Sequence, residues 1–249
     1  MPEEFPRNVK LTVEYDGTDY HGWQRQTNAP TVQQAMEEGI ASLVGHAVAL
    51  HGSGRTDAGV HALGQVANFH TSSAIPAEQL PHAINAHVPR DIVVLRAEDA
   101  SPDFHARYSA KRKTYRYSIL CRPVRPAVGA RYVHWDRGPL DADRICLAAA
   151  RFLGEHDFAT FKTHSIGEGS VRTVYRSEVA VAGDRIEYSV TANGFLYNMV
   201  RAMVGTLLEV GKGKLSPDDV ARLLERRDRT RAGPTAPARG LCLMSVEYE

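Results

Sequence analysis

The sequence predicts an α+β fold built from two similar halves. Three observations carry that prediction: helical and strand periodicities alternate along the chain, the order strand, helix, strand, strand, helix, strand occurs twice, and a sharply basic segment lies next to the boundary between the two runs. Two successive βαββαβ units describe tandem ferredoxin-like halves whose antiparallel or mixed sheets flank a central basic cleft. The boundary is expected near 101–111, giving 1–104 as the N-terminal half and 105–249 as the C-terminal half.

In the first half Val9, Leu11, Val13 and Tyr15 alternate with polar residues, the period of a half-buried strand, and Asp16-Gly17 breaks it. Thr31 with Gln34 three positions on predicts a capping box. The helix it opens carries Val32, Met36, Ile40, Leu43 and Val44 on one face, and Gly45 stops it. Strands follow over 48–52 and 64–70. A second helix is expected over 76–86, weakened by Pro81, and the apolar run 92–97 closes the half.

In the second half Tyr115, Tyr117 and Ile119 point to one side of a strand while Arg116 and Ser118 point to the other. Asp141 starts a helix with Ile145, Ala148, Ala149 and Phe152 on one face, ended by Gly154. The runs 174–181 and 185–192 form a hairpin across Gly183-Asp184. An apolar helix spans 196–210 up to Gly211, Ser216-Pro217 with Asp219 caps a short helix, and 241–248 is the last strand.

Composition excludes several classes. Of the 249 residues, 43% are hydrophobic and 24% charged, the balance of a globular protein rather than a disordered or collagen-like chain. No apolar run approaches the ~20 residues of a membrane span, and residues 1–10 carry no secretory pattern. Cys121, Cys146 and Cys242 stand singly, which argues against a disulfide framework or a zinc site and fits a reducing, cytoplasmic setting. The net charge of +1 hides an asymmetry. Between His105 and Arg137 there are nine basic residues (Arg107, Lys111, Arg112, Lys113, Arg116, Arg122, Arg125, Arg131, Arg137) against Asp136 alone. That window carries +8 and the remainder −7, a field suited to a polyanion or, more blandly, to a solvated face. The run 222–231, five arginines with two acids, reads as a solvated helix.

The densest candidate chemistry is Gly52-Ser53-Gly54-Arg55-Thr56-Asp57-Ala58-Gly59-Val60-His61-Ala62. Glycines let a loop approach a ligand closely. Taken alone, Asp57 reads first as a turn residue capping its own backbone. The segment lacks the Gly-Lys-Ser/Thr of a P-loop and the first glycine of a nucleophile elbow. A metal reading through His51, Asp57 and His61 rests on irregular spacing, and no metal is expected.

Arg55-Thr56-Asp57-Ala58-Gly59-Val60-His61-Ala62 resembles the active-site loop of the tRNA pseudouridine synthase A family. Further stretches resemble that family in order: Glu14-Tyr15-Asp16-Gly17, Gly22-Trp23-Gln24-Arg25-Gln26, Asp103-Phe104-His105-Ala106-Arg107, Lys113-Thr114-Tyr115-Arg116-Tyr117, Met199-Val200-Arg201 through Val204-Gly205, and Gly233-Pro234-Thr235-Ala236-Pro237 before Gly240-Leu241. The resemblance implies a cofactor-free isomerase, usually a homodimer, that converts uridine to pseudouridine at positions 38, 39 and 40 of the tRNA anticodon stem-loop. It implies that Asp57 is the catalytic carboxylate, with attack at C1′, attack at C6 and removal of a sugar proton all open. Arg201 matches the basic partner that keeps an aspartate ionised; the lesser reading is an arginine snorkelling from an apolar helix. Tyr115 matches a tyrosine that stacks on the target base, where its bare reading is core packing. Arg55 matches an arginine that fills the space of the flipped base, against a plain phosphate contact or ion pair. Arg25, Lys111, Arg112, Lys113 and Arg116 would hold RNA phosphates. Two other classes stand beside it: an RNA binder without turnover, which the basic window supports as well but which has no use for Asp57, and a metal-dependent RNA hydrolase using His51, Asp57 and His61.

Overall fold

The computed structural model describes residues 7–163 and 169–249. It is a mixed α+β protein that divides into two compact units, Met1–Lys111 with Leu243–Glu249, and Arg112–Cys242. Within each unit the strand pairs are antiparallel, except β5 with β6.

The first unit follows the order β1 (Arg7–Tyr15), α1 (Val32–Val44), β2 (His51–Gly52), β3 (His61–Thr71), α2 (Leu80–Asn85), β4 (Ile92–Ala100). Its strands lie side by side as β4-β1-β3-β2. Val9, Leu11, Val13 and Tyr15 are buried, and Val9 lies opposite Phe69 and Leu11 opposite Ala67 in the β1–β3 register. The alternation in the sequence is therefore the alternation of a covered face.

Three details differ from the sequence reading, each for a local reason. Thr31 accepts the Gln34 amide as expected, but the Gln34 side chain turns to Glu38 (2.9 Å), so the box is one-sided. Strand 48–52 shrinks to His51–Gly52 because the Leu50 amide donates to Glu37 Oε1 (3.1 Å) rather than to a neighbouring strand. Pro81 sits in the first turn of α2, where its missing N–H costs no helical bond, so it starts that helix instead of weakening it.

The second unit runs β5 (Arg112–Cys121), β6 (His134–Asp136), α3 (Ala142–Ala150), β7 (Gly154–Asp157), β8 (Val171–Ala182), β9 (Arg185–Ala192), α4 (Met199–Gly211) and α5 (Pro217–Arg226). Strand β9 lies between β5 and β8. Tyr115, Tyr117 and Ile119 are buried and Arg116 and Ser118 less so, as the alternation requires. Gly183-Asp184 joins β8 to β9, with Gly183 at φ 60. The sequence reading lacks β6 and β7. His134-Trp135-Asp136 and Gly154-Glu155-His156-Asp157 are short polar stretches that become strands only by pairing with β5 and β8. Gly154 accordingly opens a strand, and α3 has already ended at Ala150.

Helix α4 begins at Met199, not 196, because Asn198 adopts a left-handed φ of 60. It is buried along its length apart from Arg201 and Glu209. Its Gly205 meets the loop that follows α5: a Cβ there would fall 1.6 Å from Pro234 O. Strand β10 (Leu241–Glu247) divides between the units, with Leu241 and Cys242 in the second and Leu243 onward in the first. No helix among the described residues is long and apolar enough to cross a membrane.

Candidate active site

The loop between β2 and β3 is fixed to the sheet beneath it. Ser53 N–H donates to Val66 O (2.7 Å), its hydroxyl donates to Gln65 Oε1 (2.7 Å), and Gln65 Nε2 donates to Gly54 O (3.0 Å). Both Ser53 and Gln65 are fully buried, so these bonds run in a low-dielectric setting where losing one is costly. Thr56 shares a buried 2.8 Å hydrogen bond with the Tyr15 hydroxyl at the end of β1. Asp57 then opens a tight turn in which Val60 N–H donates to Asp57 O (3.1 Å). Gly59 occupies its third position at φ 75, which residues with a Cβ adopt only with strain. The result is a half-buried Asp57 between exposed Arg55 and exposed Ala58 on a backbone with little freedom.

A second loop, residues 16–23, clamps the first. Trp23 N–H donates to Thr56 O (3.1 Å), and Gly59 N–H donates to Tyr20 O (3.2 Å). A Cβ on Gly17 would lie 2.0 Å from Val60 O, and one on Gly22 would lie 2.5 Å from Thr56 O. The buried Trp23 ring fills the space against Gly52, where a Cβ would fall 2.4 Å from Nε1. His61 Nδ1 has Gly17 N–H at 3.2 Å and Asp16 Oδ1 at 3.0 Å. The bare nitrogen accepts from the amide, and the protonated one donates to the carboxylate.

Arg55 and Arg25 belong to one side-chain network in the first unit. Arg55 Nε donates to Gln24 Oε1 (3.1 Å), Gln24 Nε2 to Gln33 Oε1 (2.7 Å), and Gln33 Nε2 to Glu37 Oε1 (3.0 Å). Arg25 Nη1 lies 2.8 Å from Glu37 Oε2, and Nη2 lies 3.7 Å from Glu38. Hydrogen bonding to Glu37 raises the Arg25 pKa above its ordinary value. Arg25 therefore has a carboxylate partner of its own beside any role toward phosphate. Of this network the sequence reading singles out the two arginines only. Gln24, Gln33 and Glu37 carry no motif of their own, although the i, i+4 spacing of Gln33 and Glu37 on α1 is a signal of side-chain pairing.

In the second unit Tyr115 is buried on β5, with Phe195 edge-on at 5.1 Å between ring centroids. Arg201, in the first turn of α4, neither snorkels nor floats: its Nε donates to Ala236 O (2.8 Å) and its Nη1 to Asn198 Oδ1 (2.7 Å). Ala236 N–H donates in return to Arg201 O (3.0 Å), which ties the Pro-rich 233–237 segment to the helix start. Arg112 lies over the Tyr175 ring (4.6 Å), and Arg116 is 3.7 Å from Glu187, a weak surface pair. Lys113 occupies β5 opposite Ala192. Lys111, exposed at the end of the first unit, is anchored by its amide to Glu247 O (2.8 Å). Among the described residues no three His, Cys, Asp or Glu side chains are grouped to hold a metal ion.

The loop thus presents a turn-framed carboxylate between an exposed arginine and a glycine, held on a backbone locked to the sheet, the setting of a candidate enzyme site. The tRNA pseudouridine synthase family model matches residues 11–109 and 148–249, and the chain belongs to that family. It is an enzyme that isomerises uridine to pseudouridine in tRNA. Among curated relatives, the tRNA pseudouridine synthase A of Thermoanaerobacter sp. (strain X514) is 49% identical over 97% of this chain and 100% of its own length. The enzyme of the same name from Caldicellulosiruptor bescii is 48% identical, and tRNA pseudouridine synthase A 2 of Clostridium perfringens 45%, each over the same shares. A solved Cbf5-Nop10-Gar1 complex aligns with 94% of this chain and 57% of that chain at 12% identity and a TM-score of 0.39, too slight a likeness to carry an argument.

Proposed function

We propose that this enzyme converts uridines at positions 38, 39 and 40 of the tRNA anticodon stem-loop, using the Asp57 carboxylate and no cofactor. The observation that carries the reading is the Arg55–Val60 loop, which lies inside the matched segment and whose backbone is held from two sides. The reaction breaks the C1′–N1 bond of uridine and joins C1′ to C5. The C5 proton leaves to solvent and N1 gains one, so no water is consumed and no oxidation state changes. One ionised carboxylate suffices for such chemistry. Attack at C1′, attack at C6 and abstraction of a sugar proton all begin from it.

The other assignments follow the family resemblance. Tyr115 stacks on the target base, Arg201 keeps Asp57 ionised, and Arg55 fills the place of the base that leaves the stem, whose extrusion costs a few kcal/mol. Arg25, Lys111, Arg112, Lys113 and Arg116 meet phosphates, which makes binding fall steeply with salt. Two tandem ferredoxin-like halves, a central basic cleft, a homodimer and a cytoplasmic setting belong to the same proposal.

The test is tritium release from [5-³H]uridine-labelled tRNA transcripts in EDTA, with wild type beside Asp57→Asn and Asp57→Ala. Wild type releases tritium, both variants release none, and their tRNA affinity stays within about tenfold, or 1.4 kcal/mol. Release by either variant removes Asp57 from its role. Release that stops in EDTA points to a metal-dependent reaction instead. Tight, salt-sensitive binding without release from any of the three makes the protein a binder.

A further inference from the structure

Outside the 53–60 loop itself, the first unit carries a column of rings on its surface. The centroid of His51, on β2, is 4.9 Å from that of His105, and His105 is 4.4 Å from Tyr108. Tyr108, at the outer end, is 76% exposed, and the Arg107 guanidinium lies 5.7 Å from its ring centroid. A ring left in water forfeits the burial free energy that normally places tyrosines in cores.

The column is also held rigidly. Two buried asparagines fix the backbone that leads into it: Asn8 Nδ2 donates to Ser101 O and to Phe104 O (both 2.9 Å), and Asn68 Nδ2 donates to Asn8 Oδ1 (2.9 Å). Asn68 Oδ1 accepts the Ala106 amide (2.9 Å), and the Tyr248 hydroxyl donates to Ala106 O (2.9 Å). The 105–109 turn closes on itself through Ser109 N–H to His105 O (2.9 Å) and His105 N–H to Ser109 Oγ (3.2 Å). Arg107 N–H donates to His105 Nδ1 (3.1 Å), which leaves the ring proton on Nε2. Burial, then His51, Arg107 and His70, hold His105 below the usual imidazole range, so the central ring is neutral at neutral pH. The charged groups that lower it are His51, Arg107 and His70.

We propose that the His51–His105–Tyr108 column is a stacking platform for an unpaired nucleobase of the RNA substrate, with Arg107 meeting the adjoining phosphate. Aromatic rings offer a flat π-face to a base, and a neighbouring guanidinium matches the charge of the nucleotide that carries it. In a duplex both base faces are already covered, so the platform takes a nucleotide from a loop or bulge. The inference rests on the tRNA reading above and adds a subsite to it.

Tyr108→Leu removes the π-face at an exposed position where folding is not at stake, and Tyr108→Trp preserves it. Filter binding of a tRNA transcript at fixed salt is expected to weaken about tenfold in the leucine variant and stay within about twofold of wild type in the tryptophan variant. The KM for tritium release rises in parallel while kcat stays level. Unchanged affinity in Tyr108→Leu, or equal weakening in both variants, overturns the platform. Failure of the functional reading looks different. If wild type binds the transcript without releasing tritium and Tyr108→Leu still weakens binding, the platform stands as an RNA subsite and the catalytic assignment falls. If wild type releases tritium and Tyr108→Leu binds equally well, only the platform falls.

Discussion

Glu37 serves three partners with one carboxylate: the Leu50 amide, the Gln33 side chain and, by charge, Arg25, with Gln33 passing the constraint on to Gln24 and Arg55. Glu37→Ala strands a buried amide and an arginine at once, so a loss of about 2 kcal/mol is expected in urea unfolding. Because the Gln33–Gln24 relay that orients Arg55 loses its anchor, turnover should fall further than stability alone explains. A variant as stable as wild type would mean that water replaces the carboxylate at little cost. Gly22 is a second residue on which the site depends. Gly22→Ala places a Cβ 2.5 Å from Thr56 O on a residue at φ 91, and the expected result is a lower melting temperature with most tritium release gone. The glycines and Asp57 are legible in the sequence because their need is local. The Glu37 network is not, since it requires α1 to lie beside residues 24–25 and Leu50, an adjacency that no periodicity encodes.

At the scale of elements, α5 shows local rules working unaided. Ser216 accepts the Asp219 amide while Asp219 accepts the Ser216 amide, a complete capping box readable from Ser216-Pro217 and Asp219. The Ser216 backbone and then its hydroxyl hold the Asp219 carboxyl below its ordinary value. A depressed folded-state pKa adds stability above the unfolded pKa of about 4 and loses it as pH falls through the folded value. Ser216→Ala should therefore cost about 1 kcal/mol near neutrality, with the difference from wild type narrowing below about pH 4 in denaturant titrations. A gap constant with pH would uncouple Asp219 from the cap. Helix α4 is the contrary case: its apolar pattern announces the helix but not the backbone contact at Gly205. Gly205→Ala should destabilise by about 2–3 kcal/mol, read as a shift of the urea midpoint, because Pro234 O occupies the Cβ position. Strands β6 and β7 escape sequence reading for the same reason, since their neighbours rather than their residues make them strands.

For the molecule as a whole, the informative feature is that Leu243–Glu249 belongs with residues from the other end of the sequence. Tyr248 packs on Phe104 (5.0 Å) and under the Lys10 ammonium (4.8 Å), and Glu247 O accepts the Lys111 amide. A fragment of residues 1–104 thus lacks part of its own unit and should unfold without cooperativity, whereas one of 1–111 supplied with a peptide covering 243–249 should regain a sigmoidal urea transition. Sharp unfolding of 1–104 alone would show those contacts to be dispensable. Element order within the first unit could be read from the chain; this return could not, because 241–248 is simply a final strand until its neighbours are known.

That arrangement sets an order of events on the ribosome. The first unit is the first to emerge, yet the segment that covers Phe104 and Lys10 comes only after the roughly 130 residues of the second unit, a delay on the order of 10 s at ordinary elongation rates. Through that interval the nascent N-terminal sheet waits with an aromatic face bare, so chaperone occupancy during synthesis should centre on residues near 100–111 and end when the closing strand leaves the exit tunnel.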